Sequence, residues 1–326
     1  MNLNLYDEDL NRIAIIGNRF VSCLWSEGYN TVQPFTLELQ ETDEYRKKVR
    51  PDCYVGRDDR KTLMVLKTVK CEGGKIVATG AQAARVLDDV AFIGTIQSGS
   101  LIDAAICTAY ENSNKRHKVA FADSSLGVAY GSQISNKSIL ALCKTMCQSG
   151  DVGFRAVREG GQVQVQFYRP VQNPNLVYSE TFGNLLIKAI TLSTENVKNY
   201  AIVLGGGEGE NRTRADVDLT GGDDRRELIV DARDLQKEDG ETDAAYQERL
   251  YARGIEQLLT RKRTWECACT PIAKDFGQRF DLGDILTVLL PGHGLRLETR
   301  VSKFTQKEQN NKTTTTIEVG EITITR

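Results

Sequence analysis

Four glycines in five positions mark the stretch LGGGEGENRTR, Leu204 to Arg214, directly after the apolar run 200–204. A glycine-rich turn behind a strand is where backbone N–H groups can cradle a phosphate, so this is the first place to look for chemistry. The residue types argue against it. A dinucleotide fingerprint needs G-x-G-x-x-G opening a helix, and after Gly205 and Gly207 the position of the third glycine holds Glu210. No Gly-Lys-Ser/Thr ending of a phosphate loop occurs in the chain. Glu208 and Glu210 would repel an anion, and the alternation of Arg212 to Leu219 reads as a second strand. Strand, glycine turn, strand predicts a hairpin.

Other constellations fail on spacing. Cys143-x-x-x-Cys147 and Cys267-Ala-Cys269 have no nearby histidine, and the two histidines, His117 and His293, sit in unrelated contexts. His293 lies in Pro291-Gly-His-Gly294, which reads as a turn. Aligning Asp239-Gly240 to a calcium loop puts Leu235 and Lys237 on ligand positions and Tyr246 at the bidentate one. Neither G-x-S-x-G nor H-E-x-x-H is present. The expectation is no catalytic residue, no metal and no cofactor. With 44 acids, a carboxylate pair for glycoside cleavage stays open. The alternative function is therefore a cell-wall-directed hydrolase or carbohydrate-binding module using Trp25, Tyr29, Tyr130 and Trp265.

The elements that would position these residues change texture along the chain. Its 42 bases against 44 acids remove any global reason for a nucleic-acid or anionic-membrane partner. The N-terminus carries acids where a signal peptide has bases, and no long apolar run occurs, which predicts a soluble protein with reduced, buried cysteines. Runs at 12–16, 20–25, 35–39, 63–69 and 75–79, parted by Gly17-Asn18, Glu27-Gly28 and Glu72-Gly-Gly74, predict a small antiparallel barrel or sandwich. Gly80 to Leu87 reads as a short helix closing it. Helical spacing from Leu101 to Ala109 and the strand-like 117–121 follow, then a helix capped by Ser135. Its face is Ile139, Leu142, Cys143, Met146 and Cys147, and Gly150 ends it. Phe154 to Val157 and Gln162 to Tyr168, joined by Glu159-Gly-Gly161, form a hairpin with Val163, Val165 and Phe167 on one face. β texture resumes at 185–192 and 199–204. Residues 205–263 then mix 15 acids with 11 bases, which predicts a solvated or ion-paired surface rather than a basic groove. Within it, Thr242 to Trp265 reads as an amphipathic helix with rows Tyr246/Leu250/Gly254/Leu258 and Tyr251/Ile255/Leu259, and with Arg261, Lys262 and Arg263 suiting its C-terminal dipole. Strands close the chain from Asp284 onward.

Taken in order, VLGGGEGENRTR, RRELIVDARDL, a helix, FDLGDILTV and TTIEVG, with FVSCLWSEGYNTVQPFTLEL near the start, resemble the tail-hub proteins of long-tailed bacteriophages and phage-tail-like particles. The resemblance spans nearly the whole chain. It implies an α+β, β-rich fold: two small tail-tube-like β-barrels separated by an α/β domain, with a helical insert in the second barrel. On this sequence the parts fall at 1–96 (first barrel), 97–172 (α/β), 173–223 and 272–326 (second barrel) and 224–271 (insert). The resemblance further implies a baseplate hub in the virion tail, assembled in the bacterial cytoplasm. As a homotrimeric ring it would join a hexameric tail tube or distal tail protein to a spike or tail-tip protein and meet the tape-measure protein, with DNA passing the lumen but no nucleic-acid site and no membrane segment. Arg225, Arg226, Glu227, Asp231 and Arg233 would form ion-paired junctions between barrel and insert, or equally stand as solvated charges at strand ends, and Arg212 and Arg214, at the hairpin tip, would touch a neighbouring subunit. Asp281-Leu-Gly-Asp284 would turn the chain into a strand through Gly283. Many hubs of this kind continue into wall-cleaving or fibre domains, whereas this sequence stops at Arg326 within strand texture, so the expectation is that any lysin or receptor-binding activity belongs to another chain.

Overall fold

The computed structural model describes every residue except 115–118, 123, 223, 262–263, 311 and 326. Expectations on His117, Lys262 and Arg263 lie outside the described residues, as do those on the side chains of Trp265 and Cys267. The chain forms two units, Met1–Lys188 with Ala268–Arg326, and Ala189–Cys267.

In the first unit the N-terminal alternating runs become β1 (Leu3–Tyr6), β2 (Arg12–Gly17), β3 (Ser22–Gly28), β4 (Pro34–Gln40), β5 (Tyr54–Arg57), β6 (Arg60–Glu72) and β7 (Lys75–Gln82), with the short helix α1 (Asp43–Lys48) between β4 and β5. The helix predicted over Gly80 to Leu87 is corrected: β7 runs on to Gln82, and a 3-10 helix covers Ala83–Asp89. Gly80 explains the difference. It lies opposite Leu66 beside a bulge in β6, where any Cβ would collide with the Val65 carbonyl, so the glycine serves a close strand approach.

The α/β part holds β8 (Ala91–Ile96), α2 (Ile102–Glu111), β9 (Val119–Phe121), β10 (Ile134–Ser138), α3 (Ile139–Ser149), β11 (Gly153–Glu159) and β12 (Gln162–Tyr168). The cap of α3 is Ser138, whose Oγ accepts from Ala141 N at 3.2 Å, and not Ser135, which pairs with Thr95 of β8. Both serines suit a cap; strand pairing decides between them. The predicted face of α3 is fully buried, and Gly150 ends the helix. β11 and β12 form the predicted hairpin, with Glu159 opposite Gln162 and Gly160 and Gly161 at positive φ in the turn.

β13 (Gln172–Ser179) pairs parallel to β19 (Ile285–Leu290), and β14 (Leu185–Ser193) pairs with β18 (Thr264–Pro271). The last strands, β20 (Leu295–Gln309) and β21 (Lys312–Thr325), form a long hairpin. β20 spans about 50 Å at the usual rise per residue, enough to pair with β19 through Leu295–Arg300 and with β3 through Lys303–Gln309. It joins the two ends of the chain in one 14-stranded sheet among the described residues. Gly283, at φ 88°, makes the predicted turn into β19, and the Asp284 carboxylate accepts from Val171 N at 2.7 Å and Asp281 N at 2.8 Å.

Under this sheet lies a polar ladder built into an apolar core. Trp25, fully buried, meets Phe35 edge-on and donates from Nε1 to Glu27 at 2.7 Å. Glu27 is 1% exposed and paired with Arg60 at 2.7 Å. The Arg60 guanidinium lies 4.9 Å from the Phe276 ring centre and 4.8 Å from that of Phe304. Each charge is thus desolvated but partnered, the condition for a carboxylate to sit in a core.

The second unit consists of β15 (Tyr200–Leu204), β16 (Arg214–Asp218), β17 (Glu227–Asp231) and α4 (Asp243–Leu259), with β15 between the other two strands. Tyr246, Leu250 and Leu258 of α4 pack on Ala201, Val203, Ala215, Val217 and Val230, at roughly 1.5–3 kcal/mol for each large side chain buried. A Cβ at Gly254 would lie 2.5 Å from Val217, so glycine lets the helix backbone rest on the sheet. The helix ends at Leu259 rather than at Trp265, because its apolar row ends there and the chain turns extended from Thr264. The molecule is α+β and β-rich, as the sequence predicts.

Candidate interaction surface

The glycine stretch is a hairpin end. Gly205 N donates to Thr213 O at 2.8 Å and Thr213 N to Gly206 O at 2.9 Å, extending the β15–β16 ladder, and a 3-10 turn at Gly209–Asn211 closes it. Its first two glycine amides are used internally. Gly206 N donates to the Tyr246 hydroxyl at 2.8 Å, and that hydroxyl donates to Leu235 O at 2.6 Å. A Cβ on Gly205 would lie 2.5 Å from the same oxygen. The first glycines therefore admit a tyrosine from α4, where a phosphate loop would leave its N–H groups free.

Seven charged residues were singled out from the sequence, and the second unit sorts them into four groups. Arg212 is a strut: Nε donates to Gly205 O at 2.8 Å, and Nη2 reaches Leu204 O and, at 2.7 Å, Asp231. Its side chain is only 14% exposed. Asp231 also accepts from Arg233 Nε at 2.9 Å, and Arg233 first, then Arg212, holds its carboxyl well below the usual range. Arg214 pairs with Asp216 at 2.8 Å and stays half exposed. Arg225 pairs with Glu227 at 2.6 Å and lies over the Tyr200 ring, 3.4 Å from its centre. Arg226 latches the start of β15: its N–H donates to Asn199 Oδ1 at 2.7 Å and its carbonyl accepts from Asn199 N and Tyr200 N.

These residues line the face of the sheet opposite α4. Tyr200, Ile202 and Leu204 run along its middle strand, and Ile229, next to Ile202, is 69% exposed. Charge at both edges thus flanks an aliphatic strip on this face. Sequence reading missed Tyr246 as the partner of the glycines and Tyr200 as the platform for Arg225. Tyr246 was visible only as one member of a helical row.

Cys143 and Cys147 are fully buried, and burial pushes the Cys143 thiol up to about 12. Among the described residues no three metal-ligating side chains cluster, and no helix is long and apolar enough to cross a membrane. Trp25 and Tyr130 are buried, so neither ring can stack on a sugar.

Solved structures share this fold. Prophage tail protein gp18 from Listeria monocytogenes EGD-e is similar with a TM-score of 0.58 at 11% identity, over 98% of this chain and 94% of that one. The 43 kDa tail protein of prophage MuSo2 from Shewanella oneidensis gives 0.56 at 14% identity, over 98% of both chains. A tail protein from Neisseria meningitidis MC58 gives 0.53 at 12% identity, over 98% of this chain and 96% of that one. No curated protein sequence matches. A family model does match, over residues 115–321, from the α/β part through the charged hairpin to the last strand, and the chain belongs to the Siphovirus ReqiPepy6 Gp37-like protein family of phage tail proteins.

Proposed function

We propose that this tail protein is the hub of the tail: a homotrimeric ring that joins the hexameric tube, or a distal tail protein, to the spike or tip. The observation that carries the reading is the double pairing of β20, with β3 at one end and β19 at the other. It is the arrangement by which one chain can hold two tube-like strand assemblies side by side, so that three copies present six to a hexameric tube. The domain limits inferred from the sequence, 1–96, 97–172, 173–223 with 272–326, and 224–271, belong to this reading. A fold shared with a chain of the Francisella PdpA–VgrG complex, at a TM-score of 0.52 and 9% identity, is in line with a partner at the tip. The tape-measure protein would enter the same ring, in the virion tail assembled in the bacterial cytoplasm.

In the ring, the exposed Arg214 and Arg233 contact a neighbouring subunit while Arg212 holds the hairpin in shape. Light scattering and electron microscopy of the purified chain, alone and with the tube protein, test the assembly. Trimers that cap tubes are expected. A strict monomer that never joins a tube would overturn the reading.

A further inference from the structure

We propose that the second unit carries a strand-docking groove, between the free edge of β16 and the exposed side of α4, that takes an extended segment of a partner protein with alternating basic and apolar residues. This goes beyond the hub reading and does not depend on it.

The edge is set by hydrogen-bond parity. Thr213 O accepts from Gly205, Thr213 N donates to Gly206, and Leu219 N donates to Asn199 O, so the odd-numbered residues of β16 turn their backbone toward β15. Alternation turns the backbone groups of Arg214, Asp216 and Asp218 outward, and no strand pairs with that side among the described residues. The helix already uses one of these groups: Gln247 Nε2 reaches across to donate to Arg214 O at 3.1 Å. Beyond that contact lies a groove of about 710 Å³, lined by Arg214, Ala215 and Asp216 on one wall and by Ala244, Ala245 and Glu248 among others on the other. The small alanines leave room for a strand.

Side-chain chemistry specifies the occupant. Arg214, Asp216 and Asp218 project to the side away from α4, since Ala215 and Val217 fill the core beneath it. The Arg214 charge is taken up by Asp216 and that of the nearby Arg225 by Glu227, while Asp218 accepts from Thr220, so that side of the edge carries one net negative charge. Exposed Glu248 adds a third acid at the groove. On the helix wall, Tyr251 lines the groove and is 41% exposed. A strand added here meets Asp216 and Asp218 with one set of alternate side chains and Ala244, Ala245 and Tyr251, beside Glu248, with the other, so basic and apolar residues alternate in the segment that fits it.

The test uses the full chain and three fluorescent twelve-residue peptides: lysine alternating with valine, glutamate alternating with valine, and a block peptide of the first composition with its lysines gathered at one end. The alternating basic peptide should bind at least tenfold more tightly than the other two and slow hydrogen exchange at the amides of Asp216 and Asp218. Ala245→Trp, at an exposed helix position, should fill the groove and weaken binding at least tenfold while the melting temperature holds. Asp216→Pro, which removes an outward N–H and no β15 bond, should do the same. Equal binding of the block peptide, protection at other amides, no binding of any peptide, or full binding to a folded Ala245→Trp protein would each overturn the proposal.

Discussion

Two carboxylate–guanidinium sites of this chain use the same chemistry in opposite surroundings. Glu27 and Arg60 sit in the core of the first unit, with Glu27 1% and Arg60 17% exposed, and they are hemmed by Trp25, Phe276 and Phe304. Asp231 and Arg233, in the second unit, are 47% and 70% exposed. Coulomb attraction between the first pair acts through a medium that screens poorly, whereas water and salt screen the second. The buried pair is committed to the fold, because either partner alone would be an uncompensated charge. The exposed pair can trade its partner for one on another chain at little cost. That difference separates charges held by burial from charges that water and salt screen.

The largest effect should come from breaking the buried pair. Glu27→Ala leaves Arg60 without its carboxylate and removes the acceptor of Trp25, and should cost about 3–5 kcal/mol in denaturant unfolding of the whole chain. A loss below about 1 kcal/mol would mean that the site is wetter than its burial indicates. Next is the glycine at the base of the hairpin. Gly205→Ala places a methyl against the Tyr246 hydroxyl and should destabilise by about 1–3 kcal/mol, read as faster hydrogen exchange in β15 and α4. Combining it with Tyr246→Phe should restore part of that loss, since the clashing oxygen is then gone.

The smallest effect is the pH response, and it has opposite signs in the two regions. Burial pushes the Tyr54 phenol of the first unit up to about 12, above its unfolded value near 10. Its contribution is complete below pH about 10 and is lost as pH rises from there toward 12. Asp231 is depressed, so its contribution is complete above the unfolded carboxylate value near 4 and is lost as pH falls below it toward the folded value. Exchange protection followed from pH 3 to pH 11 should therefore fail at the acid end around β17 and at the alkaline end around β5. Added salt should weaken only the first. Equal salt sensitivity at both would erase the distinction drawn between the two sites.

Much of the local architecture was legible because its signals are local. Period-2 runs broken by glycine pairs located β2 to β4, β6, β7 and the β11–β12 hairpin, and a 3.6 period located the buried faces of α3 and α4. Boundaries were less legible. Ser135 and Ser138 carry equal capping chemistry, and only the pairing of β10 with β8 assigns the cap. Gly80 looked like a helix start because a glycine advertises freedom without stating what uses it. Which of the seven charged residues singled out in the second unit pair with one another was not legible, since Arg212 and Asp231 lie nineteen positions apart in the sequence.

Composition and spacing by themselves determined that this chain is rich in short strands broken by two core-facing helices and that its glycine stretch is a hairpin. They could do so because alternation, turn propensity and ligand spacing are properties of neighbours along the chain. Tertiary structure alone decided that β20 would meet β3, that Glu27 would be buried against Arg60, and that Tyr246 would take up the amide of Gly206. Each is a contact between distant segments whose register is chosen by which charges and apolar surfaces leave water together, a global free-energy balance that no window of sequence records.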